Sequence, residues 1–191
     1  YMTGWVHLPT LYDAWRGVGL LEGKKPFKEL RLLEYMADQT ICVATLANSP
    51  IKSFKDLAGK KVSLGPAGSG GVPISKAIFK ALGLTDKVNI VYAGMTDGAQ
   101  GMKDGQIDAI MNPGGPFVPP AIMEISRSVT VRIVEPTADE TAKIVAAAPY
   151  MSEGVIPPNK APGENADRAR KALFFSVWWA ALTSMPDDVV Y

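Results

Sequence analysis

The residues best placed to do chemistry in this chain are glycines. Gly65, Gly68, Gly70 and Gly71, with Ser69 among them, follow a short apolar stretch that contains Val62 and Leu64. Behind them Ile74, Ala77, Ile78, Ala81 and Leu82 recur at helical spacing. The order is strand, glycine loop, helix, so the loop falls at a helix N-terminus. The first N–H groups of a helix have no acceptor inside it, and the helix dipole adds positive partial charge there. Glycine lets such a backbone approach a ligand with no side chain in the way. The product is a seat for a small anion, a carboxylate or a phosphate. A tight turn that holds no ligand is the competing reading of the same residues.

Two nucleotide readings fail on the residues. A phosphate loop needs Lys and then Ser or Thr after its last glycine, and here Val72-Pro73 follow. A dinucleotide fingerprint needs a glycine where Pro73 stands.

The surrounding pattern alternates. Strands are expected over 61–65, 88–92, 107–111 and 129–134, followed by helices over 69–82, 96–103, 117–127 and 138–148. Such alternation predicts a mostly parallel sheet covered by helices. In these sheets ligands gather beyond the carboxyl ends of the strands. Gly94-Met95 and Asn112-Pro113-Gly114 each follow a strand, so both are expected to face one crevice with Gly68–Gly71. Asn112 brings a donor and an acceptor, and reads as a ligand contact or a turn former. Phe117, at the next helix start, reads as core or contact. Asp104 and Asp108 belong to a helix-ending turn and a strand start, which favours structural roles.

Elsewhere Trp5-Val6 reads as a strand end leading into a helix with Leu11, Tyr12 and Trp15 inside. Segments 30–36 and 41–46 read as two strands, and Asn48-Ser49-Pro50 as a turn between lobes. Residues 149–169 read as a long connection with little regular structure. The apolar run 172–183 reads as a buried strand in which Trp178 and Trp179 cannot point the same way, so one is expected in the core and the other at the lobe interface. Pro186 suits the start of a last helix, with Asp187 and Asp188 in its first turn. His7 is the sole histidine. One histidine makes no metal cluster, and no Ser or Cys motif accompanies it. It lines the cleft or plays a plain surface or packed role.

Composition sets outer bounds. The 191 residues are 47% hydrophobic and 20% charged, as in ordinary globular proteins. The net charge of +1 gives no electrostatic case for nucleic acid or an anionic membrane. Cys42 is the single cysteine, so no internal disulfide forms, and its apolar neighbours mark it as a core residue. The most apolar run, Ala172 to Leu182, is far shorter than the ~20 residues that cross a bilayer.

The motifs resemble those of the TAXI family of TRAP-transporter solute-binding proteins. The similarity lies in Asp56-Leu57-Ala58-Gly59-Lys60, the strand after it, and Gly65-Pro66-Ala67-Gly68-Ser69-Gly70. It continues through Leu82-Gly83-Leu84, Met102-Lys103-Asp104-Gly105-Gln106-Ile107-Asp108-Ala109, Asn112 to Pro116, Val155-Ile156-Pro157, and Val177 to Tyr191. The resemblance implies an α/β, two-lobed, periplasmic-binding-type (type II) fold. One lobe would comprise 49–168. The other would comprise 1–48 with 169–191, and would lack its first strand-helix unit, as in a fragment of a longer exported protein. It implies a periplasmic or extracytoplasmic location, a small organic anion as ligand (a dicarboxylate, 2-oxo acid or acidic amino acid), and TRAP-type membrane subunits as partners. No catalytic residue, metal or cofactor is implied. In the family, Ser and Gly of the loop help to hold the ligand's carboxylate, and Ser69 and Gly70 match. A Thr usually follows, where this chain has Gly71. Ala14-Trp15-Arg16-Gly17 resembles the family's helix end, but His7-Leu8-Pro9 stands where relatives tend to have Gln-Ser-Asp. The expected ligand contacts are Gly68, Ser69, Gly70, Gly71, Met95, Asn112, Pro113, Gly114, Phe117 and His7. The alternatives are the effector-sensing domain of a regulator, or an enzyme on the same fold.

Overall fold

Two long strands carry the architecture. In the computed structural model, which describes residues 3–187, β2 (Leu30–Leu46) and β8 (Arg170–Leu182) pair antiparallel along most of their length. The expected break between 36 and 41 is absent. Tyr35 to Asp38 lack a clean apolar alternation, yet pairing with Trp178, Val177 and Ser176 keeps them extended. Two register shifts, between Leu32 and Glu34 and between Tyr35 and Ala37, absorb the irregularity as bulges.

Around this pair the other elements are β1 (Thr3–His7), α1 (Leu8–Arg16), β3 (Lys61–Ser63), α2 (Gly71–Ala81), β4 (Asn89–Val91) and α3 (Met95–Lys103). They continue as β5 (Ala109–Gly114), α4 (Pro120–Ile125), β6 (Val131–Ile133), α5 (Ala138–Ala147) and β7 (Ser152–Ile156). The sheet order is β1-β8-β2-β5-β3-β4, with β6 on β2 and β7 on β8. The α/β expectation holds. The sheet is mixed rather than mostly parallel: β3 pairs in parallel with β4 and β5, and every other pairing is antiparallel. The alternating segments build the parallel unit, while β2 and β8 traverse the sheet the other way.

Strand alternation sorts the core into two layers. Val43, Val62, Leu64, Ala109 and Met111 face Ile74 and Ile78 of α2 and Ile144 of α5. Cys42, Ala44 and Ile110 face Met102 of α3 and Ile122 of α4. Each fully buried aliphatic side chain contributes about 1.5–3 kcal/mol.

The 149–169 segment is more ordered than expected. It contains β7, and its remainder is pinned by arginines. Arg170 is buried and donates to the carbonyls of Pro162 (3.0 Å) and Glu164. Arg132 donates to the carbonyls of Ser49 (2.7 Å) and Ala47 and pairs with Glu164. Neither tryptophan of the β8 pair is buried: Trp178 is half-buried against Tyr35 and Trp179 is 37% exposed. The helix expected from Pro186 lies outside the described residues beyond its first position.

Candidate functional site

The parallel unit lays three strand ends side by side. Ser63 of β3 is level with Ile110 of β5 and with Val91 of β4. The glycine loop leaves β3 between the two, with Asn112–Gly114 on one flank and Gly94-Met95 on the other. β5 runs on past its pairing with β3, so Pro113 removes no ladder bond there.

The loop is forced to be glycine where it turns. Gly65 (φ +88°) and Gly68 (φ +81°) occupy left-handed backbone. A Cβ on Gly65 would also stand 2.8 Å from Asn112 Oδ1. The loop then uses part of its own donor supply. Ser69 N–H donates to the Pro66 carbonyl (3.1 Å), and Val72 N–H to the Ser69 carbonyl (3.1 Å). Pro73 has no N–H. The expectation of amide donors across 68–71 is thereby narrowed: Ser69 is spent inside the loop. Among the described residues, the N–H groups of Gly70 and Gly71 have no protein acceptor at the head of α2. No side chain caps α2, and no acid sits in its first turn. In contrast, the head of α5 is closed by a capping box between Thr137 and Glu140.

A second helix start meets the first, a feature absent from the sequence expectations. His7 ends β1 and is the N-cap of α1, and its side chain makes no cap bond. Its Nδ1 lies 3.0 Å from where a Cβ on Gly70 would be. The N-cap residues of α1 and α2 therefore touch, and neither first turn contains an acid. Two positive helix ends converge on one spot. The imidazole packs between Trp5 (5.1 Å between centroids) and Phe175 (5.3 Å). Burial lowers its pKa, so the ring is held toward its neutral form.

Beside the loop two buried polar groups have no partner among the described residues: Asn112 Nδ2 and Ser63 Oγ. Asn112 is 2% exposed. Its Oδ1 is the atom nearest the loop, 2.8 Å from the Cβ position of Gly65, and because buried amides are nearly always hydrogen-bonded the unmet Nδ2 calls for an acceptor. Ser63 lies under Gly98 of α3, whose Cβ position is 2.9 Å from the hydroxyl. The sequence flagged Asn112 but not Ser63, which reads there as an ordinary strand residue.

The remaining expected contacts divide. Pro113 packs its ring on Gly71; a Cβ there would be 2.5 Å from Pro113 Cδ, so Pro113 fills the space a longer residue at 71 would use. Gly114 is small because Pro119 lies against it, 2.5 Å from its Cβ position. Met95 heads α3, one turn before Gly98, and is 37% exposed on the β4 flank. Phe117 packs on the core layer under α3 and α4. Its carbonyl accepts from Thr40 Oγ1. The structure thus brings His7, Gly70, Gly71, Asn112 and Pro113 together with Ser69, whose Oγ is 3.4 Å from the Cβ position of Gly65. Asp104 caps α3 and accepts from Gln100, and Asp108 accepts from Lys61 N–H (2.8 Å), so both are structural. Among the described residues no group of three or more His, Cys, Asp or Glu side chains could hold a metal. No helix there is long and apolar enough to cross a membrane.

Comparison with known proteins decides the family. The model of the NMT1-like family matches residues 2–191. The chain belongs to the NMT1-like family. Among solved structures, one described as a periplasmic transporter matches with a TM-score of 0.53 and 19% identity, over 100% of this chain and 60% of that one. A probable amino-acid ABC transporter extracellular-binding protein from Bacillus subtilis matches with 0.49 and 16%, over 85% and 54%. The periplasmic aliphatic sulphonate binding protein of Escherichia coli matches with 0.46 and 15%, over 91% and 47%. At these identities the likeness is one of fold, the α/β periplasmic-binding type. This NMT1-like chain spans about half the length of the first two-lobed structures it matches.

Proposed function

We propose that this chain is part of an extracytoplasmic solute-binding protein. It takes a small organic anion at the glycine loop and presents it to a membrane transporter. The observation that carries this reading is the pair of open amides at Gly70 and Gly71 beside the buried, unpartnered Asn112 Nδ2. Two open main-chain donors at a strand end, beside a buried side-chain amide with an unmet donor, suit an oxyanion. Charge-assisted bonds of this kind contribute about 1.5–3 kcal/mol each.

We further propose that 49–168 moves against 1–48 with 169–191, and that β2 and β8 carry the hinge between them. Ligand is captured by closure, with no covalent chemistry. The residue motifs favour TRAP-type subunits as the membrane partner and a dicarboxylate, 2-oxo acid or acidic amino acid as ligand. One structural neighbour is named for an amino-acid ABC transporter and another for aliphatic sulphonates.

Calorimetric titration of the protein with succinate, glutamate, methanesulfonate and the uncharged glutaramide tests it. The acids should bind and the diamide should not. Equal binding of the diamide, or heat from none of the acids, overturns the reading.

A further inference from the structure

The imidazole of His7 stands against the same glycine whose amide the anion would use. It is the only imidazole in the chain, and it spends no hydrogen bond on capping α1. A methyl added to Gly70 would meet Nδ1 at 3.0 Å and Cε1 at 3.3 Å. The ring therefore borders the residue whose amide an oxyanion would use.

We propose that the site is proton-linked: an oxyanion at Gly70 and Gly71 is taken up together with a proton on His7, so the site favours acids at low pH. This rests on the reading of the glycine loop as an anion seat.

The physics is a two-way coupling. In the free protein His7 faces Trp5, Phe175 and Gly70, and among the described residues no carboxylate contributes to its titration. Tyr12, Asp13 and Arg16 on α1, Lys76 and Lys80 on α2, and Arg170 and Lys171 on β8 are the titratable groups of the elements packed around it. None of these shifts its titration; burial alone does, and downward. Two helix N-termini beside the ring disfavour the imidazolium further. An arriving anion reverses the balance. It supplies the missing negative charge, raises the pKa of His7 and draws a proton from solvent. By linkage the added affinity is complete below the free pKa and disappears as pH rises through the bound pKa. Each unit of rise corresponds to about tenfold in affinity.

The sole histidine makes the test direct. Its ring C–H resonances can be followed against pH in chloride and in methanesulfonate at equal ionic strength; the sulfonate keeps its charge throughout. Backbone amide resonances of Gly70 and Gly71 report occupancy in the same samples. The expected result is a rise of about one unit in the His7 pKa, together with shifts of both glycine amides. His7→Gln should then bind with an affinity that does not vary with pH, against about a tenfold change for the native protein between about pH 5 and about pH 8. If the glycine amides shift while the His7 pKa does not, the proton linkage fails and the anion seat stands. If neither moves, both fall. A His7→Gln variant that keeps the native pH dependence also overturns the linkage.

Discussion

At the scale of single residues, close contacts decide what the loop tolerates. Gly71 has helical backbone, so alanine there would fit by dihedral angle. Its Cβ would nevertheless meet Pro113 Cδ at 2.5 Å. A proline ring in a strand has little room to give, and overpacking of this kind costs about 1–3 kcal/mol. Gly71→Ala should lower the denaturant midpoint accordingly. Adding Pro113→Ala should restore much of the loss, and a double-mutant cycle reads the coupling. Asn112→Asp tests charge at nearly constant shape. A carboxylate in place of the amide would repel an incoming oxyanion, so succinate affinity at neutral pH should fall at least about tenfold. Unchanged affinity would remove Asn112 from the site. The place of Asn112 beside the loop was partly legible in the sequence, because a polar residue at the end of an apolar strand stands out. The contact of His7 with Gly70 was not. It joins residues far apart in the chain and depends on the angle at which α1 leaves β1.

At the scale of elements, the two kinds of helix start have separate consequences. The capping box of α5 serves stability: Thr137 Oγ1 accepts from Glu140 N–H (3.3 Å), and the Glu140 carboxylate accepts from Thr137 N–H (2.8 Å) and from Lys55 N–H (2.7 Å). Thr137→Ala should cost about 1 kcal/mol in chemical denaturation and leave succinate affinity unchanged. A parallel loss of affinity would mean that α5 helps to shape the site. The head of α2 has no such closure, and that difference is the structural basis for expecting a ligand there. The segments from β3 to α5 were readable because alternating strand and helix periods repeat between glycine turns. β7 was not, since Ser152-Glu153-Gly154 lacks an apolar alternation; it is extended because β8 offers an edge to pair with. The continuity of β2 was hidden for a similar reason. Its polar middle takes its conformation from β8 and not from its own residues, a case of tertiary context overriding local preference.

At the scale of the whole molecule, the single cysteine reports on unfolding. Cys42 sits at 2% exposure in the layer between β2, α3 and α4, and burial pushes its thiol up to about 12. A neutral buried thiol is inert, so labelling by iodoacetamide at mildly alkaline pH should require opening of the core. The labelling rate should therefore be slower than that of the unfolded chain by a factor of at least about 1,000. Rapid labelling would show that this layer opens easily. The same shift sets an alkaline limit. The unfolded thiol loses its proton near 9.0, while the folded one holds it to about 12. The unfolded state therefore binds fewer protons across that window, and stability falls as pH rises through it. The Cys42→Ala variant should show a shallower alkaline decline. Two core layers flank a sheet crossed by β2 and β8, and the glycine loop stands at one end of the parallel unit. His7, at the end of β1, and the glycine loop after β3 meet there.

The most direct test of the anion seat is a titration of the isotope-labelled protein with succinate, followed at the backbone amides of the loop. Hydrogen bonds to a carboxylate should move the Gly70 and Gly71 amide protons downfield together and saturably, with the Asn112 side-chain amide moving alongside and Ser69 N–H, already bonded to Pro66, moving least. Saturable shifts at other segments with Gly70 and Gly71 unmoved would contradict the account.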